Sequence, residues 1–151
     1  MTGIPESVQD AVFNALNDSA ELDGLLAPHN QFSRSAIYDR MPQAADSGNN
    51  NLFPMLTIGE DRVNDWSTDT ATGGDVAVMV HIWSRSPGWR EAKRIAAAVK
   101  SALHRQQLVT PDQEFIGCDF ESEEMIRDPD GITLHIAAQY RMIVDEEGYG
   151  E

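Results

Sequence analysis

The residues best equipped for chemistry in this chain are its four histidines, His29, His81, His104 and His135. No two of them stand at the close spacing of a metal-ligand pair, and they fall in a predicted loop, a strand, a helix end and another strand. If the strands carrying His81 and His135 adjoin, the two rings face each other. A metal or acid–base site would still need a third ligand or an orienting partner. Two histidines on the less apolar face of a sheet, or at an interface, is the simpler expectation. No serine lies in a Gly-x-Ser-x-Gly elbow, and Gly73-Gly74 is followed by Asp75 where a phosphate loop would carry lysine. That glycine pair reads as loop freedom.

Glu121, Glu123, Glu124, Asp128 and Asp130 supply oxygens of the kind calcium takes. Their spacing lacks the central glycine of an EF-hand loop, so they read as a solvated acidic loop. Nothing in their order defines the paired carboxylates of a glycoside hydrolase. Cys118 is the sole cysteine, which excludes an intrachain disulfide and a two-cysteine metal site. It stands between Ile116 and Phe120, and its near neighbours Asp119, Glu121 and Glu123 would oppose a thiolate. A buried small hydrophobe is expected there. Together these residues predict no enzyme, no metal and no cofactor.

The aromatic residues say more. Trp66 lies in a polar stretch where its ring is hard to bury, and Trp83 and Trp89 bracket the turn before the main helix. Trp89 reads as core, whereas exposed aromatic residues often mark contact surfaces. Segments 40–51 and 60–75 are longer than a compact monomer needs to join its elements, which suits contact with neighbouring subunits. Trp66, Trp83, Tyr38, Met55, Asp65 and Asp69 are the expected interface residues.

Eleven basic and 25 acidic residues give a formal charge of −14, and Lys93 and Lys100 are the only lysines. Such a surface repels phosphate backbones and anionic lipid, which argues against sequence-independent nucleic-acid binding. It also suits a salt-rich setting. The first ten residues lack a basic region followed by an apolar run, and no segment approaches the roughly 18 apolar residues of a membrane span. A soluble protein made in a cytoplasm is expected.

Periodicity supplies the elements. Val8, Val12, Ala15 and Leu16 predict an opening helix, and Leu22, Leu25 and Leu26 a short second turn or its continuation. Ala36, Ile37 and Tyr38 predict a short strand or extended edge. Segment 52–58 is a strand at an edge, or one whose pairing begins after Pro54. Residues 60–75 read as a flexible loop. Val76, Val78, Val80 and Ile82 then share one strand face, with Ala77, Met79, His81 and Trp83 on the other. Trp89, Ala92, Ile95, Ala96, Val99 and Leu103 form the stripe of the clearest helix, with Ser86 and Pro87 as its cap and first position. It is expected to fade between His104 and Leu108. Residues 115–120 predict a short strand, and Asp128-Pro129-Asp130-Gly131 a turn. Ile132, Leu134, Ile136, Ala138, Tyr140, Met142 and Val144 share one parity of a last, antiparallel strand.

The expected fold is α+β, a mostly antiparallel sheet of four to five strands with two helices packed on one face. One domain over residues 4–144 and a loose acidic tail over 145–151 are expected. The predicted core is Val12, Leu16, Val78, Val80, Ile82, Trp89, Ile95, Val99, Leu103, Leu134, Ile136 and Tyr140.

In order and spacing these pieces resemble the tail completion, or tail terminator, family of long-tailed phages and related gene-transfer particles. The resemblance runs from about Ser7 to Val144. It is carried by Ile37-Tyr38-Asp39 with Met41-Pro42, Phe53-Pro54-Met55-Leu56-Thr57-Ile58-Gly59, His81-Ile82-Trp83-Ser84, Glu91-Ala92-Lys93-Arg94-Ile95-Ala96, Asp130-Gly131-Ile132-Thr133-Leu134-His135 and Gln139-Tyr140-Arg141-Met142. The chain departs from the family in the acidity and length of 60–75 and in its acidic terminus. The resemblance implies a structural virion protein without catalytic residues. It implies a ring, commonly a hexamer, that sits on the last ring of the major tail tube protein, stops tube growth and joins the head-side connector. DNA would pass through the lumen without specific binding. The place implied is the head-proximal end of the tail, after assembly in the host cytoplasm. The rivals are another neck or head–tail connector component, an acidic module that binds a host protein, and a small enzyme built on carboxylates or the His81/His135 pair.

Overall fold

Val76, Val78, Val80 and Ile82 have no solvent exposure at all, because they line the inner face of the third strand in a six-stranded sheet. The structure, a computed structural model, describes residues 4–26, 36–39, 53–65, 73–109 and 115–145. Among the described residues the strands are β1 (Ile37–Tyr38), β2 (Met55–Asp65), β3 (Gly73–Ser84), β4 (Gln106–Val109), β5 (Phe115–Arg127) and β6 (Leu134–Asp145). The helices are α1 (Ile4–Asn17), α2 (Ala20–Leu25) and α3 (Arg90–Leu103). The sheet order is β1-β2-β3-β6-β5-β4, antiparallel throughout except where β1 runs parallel to β2. The α+β class therefore stands, with six strands and three helices among the described residues instead of four to five and two.

Helix α1 buries Val8, Ala11, Val12 and Leu16, a stripe at helical spacing, and carries Glu6 in its first turn where the helix dipole favours an acid. Ser19 caps α2 by accepting the Leu22 N–H at 3.2 Å, and Leu22 is buried. Helix α3 buries Ala92, Ile95, Ala96, Ala98, Val99 and Leu103. Its N-cap is Trp89, without a side-chain capping bond, so Ser86 and Pro87 do not cap it. The turn before it is tied instead by Ser84, whose hydroxyl donates to Glu91 at 2.8 Å and accepts the Ser86 N–H at 3.1 Å. Helix α1 touches β1, β2 and β3 from one side and β4 from the other, so the sheet curls around the helical layer.

The core fills that concavity. Leu56, Ile58, Leu108, Ile116, Cys118, Ile136, Ala138, Tyr140 and Met142 meet the helix stripes, with Trp89 and Phe120 half-buried against them. Leu134 is also buried. Phe120 meets Tyr140 edge-on at 5.6 Å, and Lys100 lies over the Phe120 ring at 4.4 Å. Burial, helped by the Asp119 charge, pushes the Cys118 thiol up to about 12, so it is held as an inert thiol.

Three further sequence expectations change. Strand β2 runs on to Asp65 and β3 begins at Gly73, so most of the expected 60–75 loop is a hairpin arm. Ladder pairing needs no apolar side chains where water reaches the strands. Strand β5 continues through Arg127, so Glu121, Glu123 and Glu124 are exposed strand residues and not a loop. Helix α3 ends at Leu103 with His104 as its C-cap, Arg105 follows with a φ of 58° in the left-handed region, and β4 begins at once. Segment 52–58 pairs regularly only after Pro54, the second of the two expected alternatives, and β2 is not an edge because β1 lies beside it. Residues 40–51, 66–72 and 146–151 lie outside the described residues, as do Trp66 and Asp69.

Candidate functional site

The face of the sheet turned away from the helices is where the remaining aromatic residues meet. Register sets this up without any loop. One cross-strand row runs Met55–Trp83–His135, and the next runs Tyr38–Thr57–His81–Ala137. Because β-strand side chains alternate, all of these share the outer face.

Trp83 stacks on His135 with ring centroids 3.9 Å apart and planes 12° apart, and its indole N–H donates to the Thr57 hydroxyl at 3.0 Å. His81 Nδ1 and His135 Nε2 are 2.6 Å apart, one donating to the other according to tautomer. Both imidazoles are buried, at 8% and 9% exposure, although they sit on the outer face. Burial first, and then the His81 charge, pulls His135 down to about 4, so it is neutral near pH 7. Met55 has no exposure and forms a second, small apolar cluster with Ala36 and Phe53, against which Tyr38 and Trp83 pack. Burial raises the Tyr38 phenol above its ordinary value.

Polar clamps frame this patch. Arg141 and Asp75 form a bidentate pair, both bonds 2.8 Å, which holds the Asp75 carboxyl below its usual range. Gln139 donates to Glu121 at 2.7 Å. At the opposite end of the sheet Arg85 lies 4.1 Å over the Phe53 ring and donates to Thr133 at 3.1 Å. Asp130 accepts from the Ile132 and Thr133 N–H groups and from the Thr133 hydroxyl, and these bonds bring its carboxyl to about 2.

Of the six expected interface residues, the structure thus brings Tyr38, Met55 and Trp83 together, and places Asp65 at the end of β2 opposite Gly74. The conditional pairing of His81 with His135 is realised, but as a diagonal contact across β3 and β6. No group of three or more potential metal ligands occurs among the described residues. The nearest hydroxyl, on Thr57, is engaged by Trp83. A cleft of about 250 Å³ beside β1 is lined by Gln9, Asp10, Phe13, Tyr38, Asp39 and Ile58, with no charge relay converging on it. What the face offers is an aromatic platform framed by polar clamps, the composition of a contact surface. Sequence reasoning set His135 on the less apolar sheet face or at an interface but not beside Trp83, where the register puts it, and it missed Phe53, which packs with Ala36 and Met55.

The platform makes one local prediction. Thr57→Val keeps the shape of a buried side chain and strands the Trp83 N–H, so it should cost about 1–2 kcal/mol in urea unfolding. A neutral result would mean the indole bond adds nothing.

Comparison with known proteins agrees with this architecture. A chain in the virion of a native gene transfer agent particle superposes with a TM-score of 0.79 at 23% identity, covering 96% of this chain and 99% of that one. The tail completion protein gp17 of Bacillus phage SPP1 is 23% identical over 114 residues, 75% of this chain and 84% of that protein. A stretch of the tRNA-splicing ligase RtcB of Pyrococcus horikoshii is 29% identical over 112 residues, but these are only 12% of that enzyme, too small a part to bear on its activity. The family described as tail completion protein gp17 matches residues 10–145. The chain therefore belongs to the tail completion protein gp17 family and serves as a structural, non-catalytic part of a virion tail.

Proposed function

We propose that this protein assembles into a ring, expected to have six members, that caps the tail tube, ends tube polymerisation and presents the surface that joins the head. The observation that carries this reading is the pair of sheet ends. Strands β1 and β4 stand at opposite ends of the order, and each keeps one side without a neighbouring strand among the described residues. A subunit with two unlike surfaces closes a ring by heterologous contacts.

The β2–β3 arm and the outer aromatic platform supply further contact area. Tyr38, Met55, Trp83 and Asp65, with Trp66 and Asp69 beyond the described residues, are proposed to face a neighbouring copy, the major tail tube protein or the head-side connector. With a charge of −14 per copy, the lumen would let DNA pass without holding it. The place proposed is the head-proximal end of the tail, reached by assembly in the host cytoplasm. The folded unit would span residues 4–144, with the acidic terminus outside it.

Mass measurement of the purified protein, alone and mixed with assembled tail tubes, tests the reading. A six-membered ring, free or on tube ends, is expected, together with arrest of tube growth. A monomer that leaves tube ends growing would overturn it.

A further inference from the structure

Five of the eleven basic residues in this acidic chain lie on one short stretch: Arg90, Lys93, Arg94, Lys100 and Arg105. All five are exposed. On α3, positions 90, 93, 94, 97, 100 and 101 share an arc of roughly 120° at 3.6 residues per turn. That arc points away from the buried stripe. The one acid of the helix, Glu91, lies off the arc and is engaged by Ser84. Among the described residues no ion pair involves any of the five cations.

The opposite charge is concentrated on β5. Strand β4 pairs with β5 only as far as Cys118, and the His104 ring accepts the Phe120 N–H, so from Glu121 to Arg127 the far side of β5 is an open sheet edge. Glu121, Glu123 and Glu124 are exposed along that edge, with Asp119 exposed just before it, and Met125 beside them is 53% exposed. Arg90 to Arg94 spans about 6 Å at 1.5 Å per residue, and Glu121 to Glu124 about 10 Å at 3.3 Å per residue, so side chains of both stretches can meet.

We propose that the basic face of α3 docks on the acidic β5 edge of a second copy of this chain. This contact rests on the ring reading and specifies its subunit junction. Two copies carrying −14 each repel, and a junction that sets the cations of one against the carboxylates of the next removes that repulsion where it is strongest. The two surfaces are unlike, as a closing heterologous interface requires.

The test uses two one-sided variants of the full chain. The first carries Arg90→Glu and Arg94→Glu, the second Glu123→Arg and Glu124→Arg. All four positions are exposed, and circular dichroism checks that both variants keep the fold. Alone, each should lose ring formation by at least tenfold in the concentration required, because the charge of one of its two junction surfaces is largely cancelled. Mixed in equal amounts they should form rings in which the two variants alternate, since every junction is again complementary. Raising salt should weaken the wild-type ring.

Rings of either variant that form as readily as wild type would overturn the proposal and leave the ring reading intact. So would a mixture that fails to recover them. Intact variant rings that no longer cap tubes would place the basic face on the tube. If the wild type forms no ring, alone or on tube ends, the ring reading itself fails and the junction with it.

Discussion

Ile82→Ala should lower the free energy of unfolding by about 3 kcal/mol and the melting temperature by roughly 10 °C. Ile82 has no exposure in β3, and its cross-strand neighbours Leu56 and Ile136 are equally sealed, at 0% and 1%. Helix α3 lies across β3 and β6, so the space left by the lost carbons has close-packed walls that cannot simply fall in. Urea unfolding measures the loss. A cost under about 1 kcal/mol would mean that the helix-covered face relaxes freely. Because Ile82 faces the concavity while Trp83 beside it faces outward, the variant should still reach its usual assembly state at temperatures where it is folded.

The second large effect is on the outer face, and it depends on acid. His135 has a pKa of about 4 in the folded chain against an ordinary 6.5. Between those values the unfolded chain takes up a proton that the folded chain refuses, so stability falls as pH drops from about 6.5 towards 4. Each unit of displacement is worth about 1.4 kcal/mol, and allowing for residual water contact the loss should be on the order of 2 kcal/mol. Carboxylates that are hydrogen-bonded, such as Asp130 at about 2, lose their contribution only below about pH 4. Urea curves at pH 7, 6 and 5 therefore isolate the histidine. His135→Gln should begin less stable at pH 7, having lost the Trp83 stack, yet show a flatter decline over the same range. Parallel declines in the two proteins would refute the assignment.

Much of the fold was legible because some segments obey a single period. Val76, Val78, Val80 and Ile82 alternate without a break, as do the even-numbered residues from Leu134 to Met142, and both sets are buried in the neighbouring central strands. The α3 stripe is equally regular. Strand β5 was cut short in the sequence because its alternation changes phase. Phe120 pairs with Tyr140 and Ser122 with Gln139, so Glu121 is an extra residue, a bulge that moves the inward set from Cys118 and Phe120 to Glu123 and Met125. A reader counting by twos loses the strand there. Strand β2 slips in the same way between Gly59 and Arg62.

Strand β4 gave even less warning. The turn out of α3 uses Arg105 in a left-handed conformation where glycine would have marked the stop. The aromatic platform depended on register, which no local pattern sets. Trp83 and Met55 are 28 positions apart in sequence but directly opposite in the sheet. The charge partition between α3 and β5 was visible in the sequence only as composition, since the acids first had to be recognised as strand residues.

The position of β6 has a consequence for synthesis. It lies between β3 and β5, and among the described residues no other strand joins the β1–β3 half of the sheet to the β5–β4 half. A nascent chain that has not yet delivered residues 134–145 holds two fragments with unsatisfied edges and an incomplete floor beneath α3. The ribosome must release nearly all of the described chain before the β3–β6 and β5–β6 pairings can join the two halves, so completion of the fold should be late. Prematurely terminated copies would then lack the finished body needed to occupy a place in a growing particle, which protects assembly from truncated products.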